Sequence, residues 1–207
     1  MSAIAKGVRR TRSRFGGRLE PFFRLRLILH QGRSELLTVT SAETLDGFPR
    51  LREDAAALDA AARACDAVGR LFETGEPHPE VFNLLCNELT LLDADVGRAG
   101  HANQLAFRLK LLLAAGFAPQ LSACTSCGTR EHLIGFSPSA GGVVCNSCEA
   151  SSFALDEDAH AFMAAALGRP LAEPLAAPER ALRQAEAAVA QMVEHHAGIR
   201  IVRGRPG

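Results

Sequence analysis

The sequence predicts an α+β protein: a few antiparallel strands at the N-terminus, then an α-helical domain carrying an inserted four-cysteine zinc ribbon. Three observations predict it. Apolar residues alternate with period two around Phe23 to Leu29, and they recur at helical spacing from about Glu53. Periodicity then breaks over residues 121–150, which hold four of the six cysteines. The 207 residues accordingly divide into a strand-rich unit, 1–49, and a helical unit, 50–207, with the cysteine segment 121–150 inserted in it. At 47% hydrophobic and 22% charged, the composition excludes a collagenous, mucin-like or largely disordered chain.

Each element follows from local chemistry. Phe23, Leu25, Leu27 and Leu29 alternate with Phe22, Arg24, Arg26 and Ile28, the pattern of a strand that buries its odd-numbered face. Gln31-Gly32 supplies a turn, and Leu37, Val39 and Thr40 a β-rich return strand, giving a hairpin. With Met1 to Val8 as a further strand, this unit has too few strands for a closed barrel. From about Glu53 a first helix carries Leu58, Ala61, Ala62, Cys65, Val68 and Phe72 inward, and Thr74-Gly75 stops it. A second helix starts at Pro79, suited to a first turn, and buries Phe82, Leu85, Leu89 and Leu92. A third runs from about Ala102 to Ala115 over Leu105, Leu109, Leu112 and Leu113, ended by Gly116 and Pro119. Two more, Asp156 to Leu167 and Pro178 to His196, flank a proline-rich connector. Cys65 and Cys86 fall in helices and read as small core residues.

A net charge of zero conceals a segregated one. Residues 1–33 hold nine Lys or Arg against the single acid Glu20, a net +8, so the other 174 residues carry −8. Such a dipole points the first segment at a polyanion, with Phe15, Phe22 and Phe23 interleaved among the charges. The alternative is a basic leader that is merely disordered. The longest apolar runs, such as Leu109 to Phe117, fall short of the ~20 residues of a membrane span. The N-terminal charges have no apolar stretch behind them, so a secretory signal is not expected, and the expected location is the reducing cytoplasm.

Cys124-Thr-Ser-Cys127 and Cys145-Asn-Ser-Cys148 form two C-x2-C pairs 17 residues apart, the spacing of a four-thiolate zinc site. Each pair forms a tight knuckle whose sulfurs reach one tetrahedral Zn²⁺ at about 2.3 Å, leaving no open position for a substrate. The expectation is one structural Zn²⁺ per chain, with Gly128 allowing the knuckle's turn and Arg130 or His132 offsetting the thiolate charge. Leu133 to Ser137 and Gly142 to Cys145 read as the ribbon's two strands. The competing readings are a disulfide in each motif and a redox C-x-x-C, which lacks its usual strand–helix setting here. The seven histidines form no H-x-E or H-E-x-x-H pattern, and neither a G-x-S-x-G elbow nor a P-loop occurs, so an enzyme is not expected.

Several of these motifs together carry a family resemblance. The run Ala5-Lys-Gly-Val-Arg-Arg-Thr-Arg-Ser-Arg-Phe-Gly-Gly-Arg-Leu-Glu-Pro-Phe22, the helix end Leu111-Leu-Leu-Ala-Ala-Gly-Phe-Ala-Pro119, the paired cysteines and Phe136-Ser-Pro-Ser-Ala-Gly-Gly142 resemble the bacterial RecO family of DNA repair proteins, in the right order over nearly the whole chain. The resemblance implies an N-terminal OB-fold, a helical domain and a zinc-binding segment. It also implies a recombination mediator that binds single- and double-stranded DNA, anneals complementary strands, and works with RecR, and in some cases RecF, to load RecA onto strands coated by single-strand-binding protein. In the family the basic run is preceded by further OB-fold strands, whereas here it begins almost at Met1. The expected OB-fold is therefore partial: either the natural start lies upstream, or the barrel is open.

Carried over by position, Lys6, Arg9, Arg10, Arg12, Arg14 and Arg18 fall on the family's basic DNA-contacting stretch, and Cys124, Cys127, Cys145 and Cys148 on its metal ligands. Base stacking is expected from Phe15, Phe22 or arginine planes, since the chain has no Trp or Tyr. Arg108 and Lys110 on the third helix are the expected docking positions for the acidic tail of single-strand-binding protein. The expected location is cytoplasmic and nucleoid-associated. Two rival functions stand beside this one: a zinc-ribbon scaffold that binds only proteins, and a thiol oxidoreductase.

Overall fold

The structure, a computed structural model, describes residues 3–6, 15, 17, 19–32, 36–72, 76–149 and 152–197. Its N-terminal sheet has three strands in the order β1-β3-β2: β1 is Ala3–Ile4, β2 Arg24–His30 and β3 Leu37–Asp46. β2 and β3 form the expected hairpin, with Leu27 opposite Ala42, while β1 lies parallel to β3 and pairs Ala3 with Leu37. Among the described residues the sheet stays open and does not close into a barrel. Its odd-numbered face is only half covered. Leu25 and Leu29 are partly buried, but Leu27 keeps 40% of its surface, because Val39 is the one residue of these strands that is fully buried.

Phe48, in the left-handed region at φ 41°, turns the chain from the sheet into α1, Pro49–Glu53, which periodicity does not predict. Pro49 stands in its first turn, and Leu51 is buried with its amide donating to Asp93 Oδ1 at 2.9 Å. Asp54 then caps α2, Ala55–Leu71, by accepting from the Ala57 amide at 2.9 Å. The buried face of α2 is Ala57, Ala60, Ala61, Ala64 and Ala67, so of the expected stripe Ala61 alone is fully buried. Ala62 is exposed; Leu58, Cys65, Val68 and Phe72 lie at half-buried margins. α2 packs against α1, α3 and α4, and alanines allow backbones to approach where leucines would hold them apart.

α3, Pro79–Ala94, starts at its expected proline and buries Val81, Cys86, Glu88, Leu89 and Leu92. Phe82 is 52% exposed instead of inside. A short 3-10 turn, Val96–Ala99, leads into α4, His101–Ala114, the central helix, which lies against α2, α3, α5 and α6. Leu105, Phe107, Leu109, Leu111 and Leu112 are buried on it, whereas Leu113 is exposed. Gly116, at φ 79°, ends it as Phe117 N–H returns to the Leu112 carbonyl at 2.8 Å. β4, Leu133–Ser137, and β5, Gly142–Cys145, are the ribbon strands, and β6, Phe153–Ala154, joins the far edge of β4. α5, Glu157–Gly168, and α6, Glu179–Ala197, complete the fold. Phe136 and Val143 of the ribbon share one core with Leu109, Phe162, Met163 and Val189, so the ribbon is anchored into the helical body. Among the described residues no helix is long and apolar enough to cross a membrane.

Candidate metal centre

The two knuckles are built from turns that bring their sulfurs together. Gly128 N–H donates to the Cys124 carbonyl at 2.9 Å, and Gly128 takes φ 77°, a conformation a side chain resists. In the second knuckle Cys148 N–H donates to the Cys145 carbonyl at 3.0 Å. The hairpin joins the two, since Cys145 ends β5 opposite Leu133, and Thr125 N–H donates to the Val143 carbonyl at 2.9 Å. As a result, the Sγ atoms of Cys124, Cys127, Cys145 and Cys148 all lie within 4.8 Å of one another.

That arrangement fits a metal ion. Four sulfurs at about 2.3 Å around a tetrahedral centre stand about 3.8 Å apart; Cys127 Sγ and Cys145 Sγ are 3.7 Å apart. Cys124 and Cys145 are buried while Cys127 is exposed, so an ion can be reached from one side and enclosed on the other. Backbone amides donate to the Cys124 sulfur, that of Cys145 foremost, and hold its thiol down to about 6. The neighbouring sulfurs of Cys127 and Cys145 push the Cys148 thiol up to about 12, a repulsion that a bound cation would relieve. All four thiols are free, with no disulfide between them. His132, expected to offset charge through its ring, contributes a carbonyl that accepts from Asn146 N–H at 3.2 Å.

The basic stretch is described only in part. Lys6 is exposed, and Arg9, Arg10, Arg12, Arg14 and Arg18 lie outside the described residues. One stacking expectation is corrected. Phe15 is 1% exposed, so its ring is closed to a base, and Phe22 is half-buried against the cluster that includes Phe48, Leu51 and Leu92. Arg108 is corrected as well: it is 8% exposed and its Nη1 pairs with Glu186 at 3.0 Å, because α6 covers that face of α4. Lys110 is half-buried, its Nζ 3.4 Å from the Leu167 carbonyl.

Sequence reasoning missed two groups. One is internal: Glu88, 1% exposed, accepts from Asn103 Nδ2 at 2.9 and 3.1 Å, and burial raises its carboxyl to about 7. The other is on the surface, where Arg24 lies 5.9 Å from the centroid of Phe82, and Arg52 4.4 Å from that of Phe23. A phenylalanine beside asparagines on an otherwise apolar helix was the signal for the second; nothing in the sequence marks the first.

Comparison with known proteins gives one family along the chain. The N-terminal family model of recombination protein O matches residues 1–48, and its C-terminal model matches residues 52–205. DNA repair protein RecO of Anaeromyxobacter dehalogenans is 36% identical over 215 residues, covering 99% of this chain and 83% of that protein. DNA repair protein RecO of Rubrobacter xylanophilus is 41% identical over 155 residues, 73% of this chain and 61% of its own length. The protein of that name from Myxococcus xanthus is 36% identical over 149 residues, or 72% and 60%.

Proposed function

The chain belongs to the recombination protein O family, and on that footing we propose that it serves DNA repair as a mediator that binds nucleic acid and breaks no bonds. The observation that carries this reading is the net +8 of residues 1–33 in a chain whose total charge is zero. Lys6, Arg9, Arg10, Arg12, Arg14 and Arg18 neutralise phosphates along single- and double-stranded DNA with little reading of base identity. The strands of the first unit serve as a partial OB-fold that presents them. Neutralising phosphate repulsion while leaving base edges open lets complementary strands meet, which is annealing.

Cys124, Cys127, Cys145 and Cys148 hold one Zn²⁺, whose role is structural because four thiolates leave it no open position. The helical body and its ribbon dock the protein partners: RecR, single-strand-binding protein with Lys110 at the contact, and RecF and RecA as strands are handed over. The site of action is the cytoplasm, at the nucleoid. The test is strand annealing. Two complementary oligonucleotides should pair faster with the full chain, and replacing Arg9, Arg10, Arg12 and Arg14 by Ala should abolish the acceleration while zinc content stays at one per chain. Annealing that survives that replacement would put the DNA contact elsewhere on the chain, and an unaltered chain that does not speed pairing would favour the protein-only scaffold.

A further inference from the structure

Arg24 and Phe82 meet where the end of the N-terminal sheet abuts α3, and packing accounts for neither. A single exposed apolar side chain is ordinary. Phe82, however, is 52% exposed on a helix that buries Val81, Leu89 and Leu92. Above its ring stands a guanidinium, Arg24, 5.9 Å from the centroid. The next arginine on that strand, Arg26, is taken up by Glu43 at 2.9 Å, whereas among the described residues no carboxylate pairs with Arg24. A cation held beside an exposed aromatic ring offers two things an unpaired nucleotide needs: a surface for its base and a charge for its phosphate.

We infer that Phe82, with Arg24 beside it, is a stacking platform for one base of single-stranded nucleic acid, extending the interface from the basic segment onto the helical body. The inference deepens the DNA-binding reading and rests on it. Charge complementarity selects the occupant, since Arg24 belongs to the segment of net +8. Stacking also accounts for why the ring is left open: a duplex, whose bases already stack on each other, cannot use it, so Phe82 confers a preference for single strands.

The test compares the full chain with Phe82→Ala and Phe82→Tyr on three probes of equal length: oligo-dT, an abasic oligonucleotide and a blunt duplex. Phe82→Ala should weaken oligo-dT binding on the order of tenfold, leave the abasic and duplex probes unchanged, and leave the salt dependence unchanged. Phe82→Tyr should bind oligo-dT as the unaltered chain does, since its ring still stacks. Unchanged oligo-dT binding by Phe82→Ala, or an equal loss on the abasic probe, would overturn the platform while the phosphate-binding reading stands. Failure of the unaltered chain to bind any probe would overturn both.

Discussion

At the scale of single residues, two side-chain sets decide most. Cys124 sits in the interior half of the thiolate cluster, so replacing it by Ser removes a ligand where no other group can substitute. Cys124→Ser should carry less than a tenth of the zinc of the unaltered chain, measured by elemental analysis after dialysis, and should melt at a lower temperature, because Phe136 and Val143 lose the support that seats them in the shared core. Glu88 sets a pH dependence. Its carboxyl is raised from 4.5 to about 7, so in that interval the folded chain holds a proton that the unfolded chain releases. Its contribution is therefore fully present below about pH 4.5, declines as pH rises, and is gone above about 7. At the usual conversion of one pKa unit, the difference is on the order of 3 kcal/mol. Glu88→Gln should remove this slope between pH 5 and 7.5 and stabilise the protein at pH 8, as measured by denaturant unfolding; an unchanged slope contradicts the assignment. The cysteines were legible because metal spacing is written in consecutive residues. Glu88 was not, because its partner Asn103 comes from another helix.

At the scale of elements, the helices were legible in position but less so in rotation. Caps and breakers such as Pro79, Asp156 and Gly116 are local, and α3, α5 and α4 begin or end beside them. Which face a helix buries depends on how near its neighbours come. On α2 the larger apolar side chains suggest one stripe, while the alanines beside it fit the close approach to α1, α3 and α4. Ala61→Leu should then cost about 1–3 kcal/mol by overpacking, while Ala62→Leu, on the exposed side, should cost little; thermal unfolding of the two variants distinguishes them. α1 escaped notice for a related reason, since five residues are too few to display a period, and it is fixed by tertiary contacts such as the buried Leu51 and its hydrogen bond to Asp93. The ribbon is tied to the helices by histidines as well as by its core. His160 Nε2 lies 2.7 Å from the Leu121 carbonyl and His196 Nε2 2.9 Å from that of Pro138, contacts between positions 39 and 58 apart in sequence that no local pattern could disclose.

At the scale of the whole molecule, an acidic helical body, whose four clustered cysteines could hold a metal ion, carries a basic, strand-bearing first segment. Charge segregation was legible because it needs only counting, the order of strands and helices because each has its own period, and the ribbon because its paired cysteines stand where periodicity breaks. The extent of the N-terminal sheet was not: β1 joins β3 in parallel across more than thirty residues, a pairing that alternation cannot register. The central claim is that the first segment binds nucleic acid by its charge. Its most direct test is the affinity of the zinc-loaded full chain for a single-stranded oligonucleotide over a salt series. If about five phosphates are neutralised, the logarithm of affinity falls with a slope of roughly −3.5 against the logarithm of salt, on the order of a hundredfold between 50 and 200 mM. A slope near zero, or no binding in dilute buffer, would contradict it.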